Sequence, residues 1–147
     1  MKPLVLIIFS IMSFSFFMVN CSTDNGLVNT LDTKPEFLTA SHSGCQGLHK
    51  INDKGSLEYF NYENDTLLLK INFTANCCPD FIDSVAVNSE KIQIFLFDAL
   101  ANCRCICNYS DIYKFYYPGF TSATLEFWCS SVHNTNYELL FAENLDL

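Results

Sequence analysis

From Leu67 to Ala75 apolar and polar positions alternate, so that Leu67, Leu69, Ile71 and Phe73 share one face. A period of two, with β-branched and aromatic residues on one side, marks a half-buried strand. Val85–Val87 and Ile92–Phe97 flank Asn88-Ser89-Glu90, whose Asn and Ser tolerate tight-turn geometry, and this predicts a hairpin. The same reading places strands at Cys105–Tyr109, Tyr113–Tyr117, Ala123–Cys129 and Tyr137–Ala142, with Pro118-Gly119 closing the second of these. No stretch carries a helical stripe over about ten residues. About seven short strands punctuated by turns predict an all-β fold, an immunoglobulin-like β-sandwich.

The N-terminus follows a different pattern. Lys2 precedes an apolar run from Leu4 to Val19, which fits the charged and apolar parts of an export signal. The run falls short of the ~20 residues a spanning helix needs, and serines interrupt it. Cys21 follows directly, trailed by polar Ser22-Thr23-Asp24-Asn25, and this layout resembles the lipobox of bacterial lipoproteins. Asn20 stands where a small residue is usual. Under this reading residues 1–20 are removed as a signal peptide and Cys21 carries acyl chains such as palmitate. More than one chain makes the anchoring stable. The alternative is an ordinary secretory signal that leaves Cys21 as a disulfide partner. Residues 21–34 are polar and aperiodic and read as a tether; residues 35–147 are the folded domain.

Composition narrows the partners. The chain has 147 residues, half of them hydrophobic and 16% charged, which suits one globular domain. Its formal charge of −8 argues against nucleic acid, where affinity rests on Lys and Arg neutralising phosphates. Asn-x-Ser/Thr triplets begin at Asn64, Asn72 and Asn108, the last two inside expected strands, and read as coincidence in an Asn- and Thr-rich chain.

Eight cysteines carry more information: Cys21, Cys45, Cys77, Cys78, Cys103, Cys105, Cys107 and Cys129. Export favours disulfides over persistent thiols. Cys103, Cys105 and Cys107 alternate and, in a strand, point to one face, so each should pair outward. A bend at Asn76–Pro79 would bring Cys77 and Cys78 to that triplet. Cys45 is the next candidate partner and Cys129 the odd one out. The connectivity stays open, since eight cysteines allow 105 arrangements.

Ser-His-Ser-Gly-Cys45, Asn-Cys-Cys-Pro79 and Cys103-Arg-Cys-Ile-Cys-Asn-Tyr109, followed by Asp111-Ile-Tyr-Lys-Phe115, resemble a group of small uncharacterised lipoproteins of Gram-negative bacteria. The resemblance covers roughly Ser41 to Gly119, omits Cys129 and implies no activity. It implies a lipid anchor and an exported β-domain at the cell envelope, an outer-membrane lipoprotein facing the periplasm or the cell surface. Asp65-Thr66-Leu67 and Asp83-Ser84-Val85 also resemble a short O-glycan acceptor pattern of related bacteria.

The rival for the cysteines is metal. Cys45, Cys77, Cys78, Cys105 and Cys107, with His42 and His49 nearby, form a thiolate-rich set suited to Zn or Cu. Its spacing matches no common zinc module. No Gly-x-Ser-x-Gly, His-Glu-x-x-His or phosphate-loop motif is present, and His133 reads as part of a solvated turn. The expectation is a non-enzymatic binding or structural module without a cofactor. It meets the membrane through its lipid and has an envelope protein or a glycan as partner. Tyr109, Tyr113, Phe115, Tyr116, Tyr117, Phe120, Phe127 and Trp128 crowd the C-terminal half, and most of them are expected in the core.

Overall fold

The computed structural model describes residues 34–47 and 54–147. The signal segment, Cys21, the tether up to residue 33 and His49 lie outside these residues. Eight strands form: β1 (Glu36–Ser41), β2 (Gly55–Glu63), β3 (Thr66–Asn76), β4 (Phe81–Val87), β5 (Lys91–Asp98), β6 (Ile106–Tyr116), β7 (Ser122–Ser131) and β8 (Asn134–Asp146). They make two four-stranded sheets, sheet A in the order β1-β6-β3-β2 and sheet B in the order β4-β5-β7-β8. No helix occurs among the described residues.

The alternation in β3 is what closes the sandwich. Leu67, Leu69 and Ile71 are fully buried, together with Tyr113 and Phe115 of β6. They pack in one core with Ile92, Ile94 and Leu96 of β5 and Leu125 and Phe127 of β7. Each such aliphatic or Phe side chain contributes roughly 1.5–3 kcal/mol on full burial. Phe73 meets Phe127 across the sheets with ring centroids 5.3 Å apart. Of the eight C-terminal aromatics, Tyr109, Tyr113, Phe115, Tyr117 and Phe127 are core residues and Phe120 packs against them, whereas Tyr116 and Trp128 stay partly exposed outside the core.

The hairpin at Asn88 forms as its residues predict. Asn88 Oδ1 accepts the Glu90 and Lys91 N–H groups at 2.9 and 2.8 Å. A second tight turn, not foreseen, joins β2 to β3 through Asn64 and Asp65, with φ of 50° and 58°. Two left-handed residues match the twist of paired strands, and Asn and Asp tolerate that conformation.

Three features depart from the expectation. Cys105–Tyr109 and Tyr113–Tyr117 are not two strands but the single strand β6, paired with β3 along its whole length. Ser110-Asp111 reads as a break in sequence, yet Asp111 is buried with partners of its own. Cys103 and Cys105 lie in the loop before β6, so the triplet does not share one strand face. Strands β1 and β2 were missed because both are edge strands whose alternation is interrupted by bulges, at Phe37/Thr39 and Leu57/Tyr59. The sheets also contain one parallel pair, β5 with β7, which the fully antiparallel sheets of immunoglobulin domains lack.

Candidate functional site

Three disulfides fasten one end of the sandwich. The β3–β6 ladder continues past Asn76 opposite Ile106, and the Cys77 N–H donates to the Cys105 carbonyl at 3.2 Å. That continuation sets Cys77 opposite Cys105, with Cα atoms 5.5 Å apart, and they are bridged. Its neighbour Cys78 bridges Cys103 at a Cα separation of 5.9 Å. Cys45 bridges Cys107 at 5.5 Å. Here the loop after β1 runs beside β6: the Gln46 N–H donates to the Asn108 carbonyl at 2.9 Å and the Asn108 N–H to the Gly47 carbonyl at 3.3 Å. These separations lie in the usual range for a disulfide.

Beside the bridges, His42 joins the two sheets. Its Nδ1 lies 2.6 Å from Asp111 Oδ2 of β6, and its Nε2 lies 2.8 Å from Asp83 Oδ2 of β4. Asp111 also accepts the Ser43 N–H at 3.1 Å, and Asp83 accepts the buried Tyr113 hydroxyl at 2.9 Å. The hydrogen bond to Asp111, then that to Asp83, outweighs partial burial and pushes the imidazole pKa up to about 10. His42 is therefore a cation at neutral pH, between two carboxylates. In sequence it reads as a loop histidine or a metal ligand. Both of its ring nitrogens are engaged by carboxylates.

Asp98, at the end of β5, organises the loop that leads to Cys103. It is nearly fully buried. Its Oδ1 accepts the N–H groups of Asp80, Leu100 and Ala101 at 3.3, 3.1 and 2.9 Å. Ala101 takes φ 39°, a left-handed conformation that this anchoring supports. On neighbouring β7, Cys129 is the free cysteine among the described residues. Burial, reinforced by Asp98, pushes its thiol up to about 11, so it holds little thiolate at neutral pH.

One part of the outer face of sheet B is apolar, beside the polar cluster of Lys91, Gln93 and Glu126. Register places Ile82 beside Phe97, Phe95 beside Trp128, and Trp128 beside Leu139. The rings of Phe95 and Trp128 stack with centroids 6.1 Å apart, and Tyr137 sets its edge on Phe95 at 5.3 Å. Ile82, Tyr137 and Leu139 are exposed. Glu126 borders this row and is already occupied, accepting from Lys91 and Gln93 at 2.7 Å each and from the Trp128 Nε1–H at 3.3 Å.

Six of the cysteines singled out in the sequence, Cys45, Cys77, Cys78, Cys103, Cys105 and Cys107, are thus brought together as bridges. The five named as metal ligands are among them, and a bridged sulfur offers no thiolate. No group of three or more His, Cys, Asp or Glu side chains among the described residues is arranged to hold a metal. His133 lies exposed in the turn between β7 and β8. No family model, curated protein or solved structure matches the chain.

Proposed function

We propose that this protein is an exported lipoprotein of the bacterial envelope, held at the membrane by acyl chains on Cys21, whose stapled β-sandwich is a binding module. Three bridges support export, because disulfides persist where thiols are oxidised and are rare in the cytosol. The polar tether keeps the domain close to the bilayer, so its partners are met there.

The observation that carries the binding part is the row Ile82, Phe97, Phe95, Trp128, Tyr137 and Leu139 on the outer face of sheet B. Soluble domains rarely leave a contiguous apolar patch of several hundred Å² uncovered unless something docks on it. An envelope protein with an apolar surface fits this row, since its bordering carboxylate is already satisfied. The module binds without catalysis in this reading: its one described free thiol is protonated and its candidate base, His42, is locked between carboxylates.

Intact mass of the protein extracted from membranes, before and after reduction and alkylation under denaturing conditions, tests the anchor and the scaffold. The expected result is an acylated N-terminal Cys21, Cys129 alkylated without reduction, and six further cysteines alkylated only after it. Seven cysteines alkylated without reduction, after chelation, would sink the disulfide scaffold in favour of metal. A photo-crosslinking residue at position 139 in living cells tests the face. A discrete protein adduct is expected there and not from position 112 on sheet A; its absence refutes the docking role.

A further inference from the structure

The opposite sheet carries a different surface. Across the outer faces of β2, β3 and β6 runs a groove of about 460 Å³. Its walls present three amides, Gln46, Asn72 and Asn108, and three hydroxyls, Ser56, Thr74 and Ser110. Lys70 and Glu58 complete it and neutralise one another at 2.9 Å. The exposed Tyr59 ring adjoins, with the Lys70 ammonium 5.8 Å from its centroid. On the groove floor Ser110 Oγ is shielded from solvent, and it and the Asn72 amide face the Glu58 carboxylate. The Ser110 backbone N–H is satisfied by Ser43 Oγ at 2.7 Å.

The chemistry of this lining eliminates most ligands. Among the described residues its one cation is paired, so an anion gains no net charge from them. The one described carboxylate is paired too, which leaves nothing there for a metal ion. An apolar ligand would strip water from amides and hydroxyls without replacing their hydrogen bonds, a cost of roughly 1–3 kcal/mol per group. A peptide that adds as a strand needs an open sheet edge, whereas the strands of the groove floor, β3 and β6, are both interior to sheet A and only β2, at the rim, is an edge. A neutral ligand rich in hydroxyls meets every requirement: amides and hydroxyls both donate and accept.

We infer that this groove on sheet A binds a neutral oligosaccharide, with Asn72, Asn108, Gln46 and Ser110 pairing with its hydroxyls. The inference rests on the protein being a binding module, yet it uses the sheet opposite the apolar row and does not depend on that row or on the lipid. Envelope surfaces offer such saccharides within reach of a tethered domain.

The test uses the full chain, taken from whichever cell fraction holds it and kept in a detergent without a sugar headgroup. Calorimetric titration with maltohexaose, cellohexaose, chitohexaose and mannohexaose is compared with hexagalacturonate as the anionic control. At least one neutral hexasaccharide is expected to bind, with affinity at least tenfold weaker in Asn72→Ala/Asn108→Ala and unchanged in Trp128→Ala. Unchanged thermal unfolding of the double variant certifies its fold; if it fails, Ser56→Ala is the milder replacement, with at least a threefold loss expected. No binding to any neutral probe, binding only to the anionic one, or binding that survives the groove variants would overturn the inference. Loss in Trp128→Ala alone would also overturn it and place the saccharide on sheet B. Fractionation of the same preparation reads the anchor separately, so failure of the lipoprotein reading and failure of the groove are distinct results.

Discussion

The imidazole of His42 closes on the buried carboxylate of Asp111 at 2.6 Å, joining the end of β1 to a position 69 residues away in β6. The second nitrogen reaches Asp83 in the facing sheet, so one cation holds two anions and the two layers together.

This arrangement makes stability depend on pH in a stated direction. The imidazole pKa rises from its ordinary 6.5 to about 10 on folding. A base with a raised folded pKa stabilises the fold fully below its unfolded value, and that contribution is lost as pH climbs through the folded value. Urea midpoints should therefore hold steady between about pH 5 and 6 and fall between pH 7 and 10, apart from a separate acid loss as the paired carboxylates Glu58 and Glu126 are protonated. His42→Ala should be less stable at neutral pH by about 2–4 kcal/mol, because it leaves a buried carboxylate without its charge partner. Its midpoint should also be flat across that window. A wild-type midpoint that does not fall between pH 7 and 10 would refute the charged bridge.

The bridges should contribute unequally. Cys45–Cys107 spans 62 residues, and in the chain-entropy model closing such a loop is worth about 4 kcal/mol. Cys78–Cys103 is nested inside Cys77–Cys105, so once the outer bridge exists it closes only a short remaining loop, worth about 2 kcal/mol. Paired Cys→Ser replacements, measured by chemical denaturation, should show this order. Equal losses would mean that native contacts rather than loop closure dominate.

Cys129 should resist modification in the native protein. Its thiol is pushed up to about 11, against about 8.5 for an unperturbed cysteine. Iodoacetamide at pH 7.5 should label it on the order of a hundredfold more slowly in the folded than in the denatured chain, since only the thiolate reacts. Comparable rates would place the thiol in solvent.

Asp98→Ala removes a buried acceptor shared by three backbone N–H groups. The expected cost is about 2–4 kcal/mol, since each orphaned donor carries a desolvation penalty. The loop that presents Cys103 should lose its shape as well. Peptide mapping after refolding from the reduced state should then show Cys78 and Cys103 mispaired in part of the population. Native pairing at the wild-type yield would show that the loop forms without its anchor.

What the sequence made legible is what short periods encode. The alternation in β3 and the Asn88 turn are local patterns and stand as read, and most of the C-terminal aromatics are core as expected, Tyr116 and Trp128 being the exceptions. The cysteine grouping was readable in its members through the bend before Pro79, but not through a shared strand face, since Cys103 and Cys105 precede β6. The apolar row on sheet B was hidden by its own strand. In β5, Ile94 and Leu96 face the core while Phe95 and Phe97 face outward, so the run is apolar throughout and its period disappears. His42, Asp83 and Asp111 lie 41 and 69 residues apart in pairs with His42, too far for any local pattern to join them. The same holds for the groove, whose side chains come from three strands and a loop.

The parallel pairing of β5 with β7 sets the order in which this protein can be completed. β5 obtains its second neighbour only after the chain has crossed to sheet A as β6 and returned, so neither sheet can be finished before the other is begun. Folding is thus dominated by contacts distant in sequence, which puts it among the slower topologies, in the millisecond to second range. A chain delivered N-terminus first would hold the β4–β5 hairpin with one bare side until β7 arrives. Any truncation before Ser122 would leave that side permanently open to pairing with other chains.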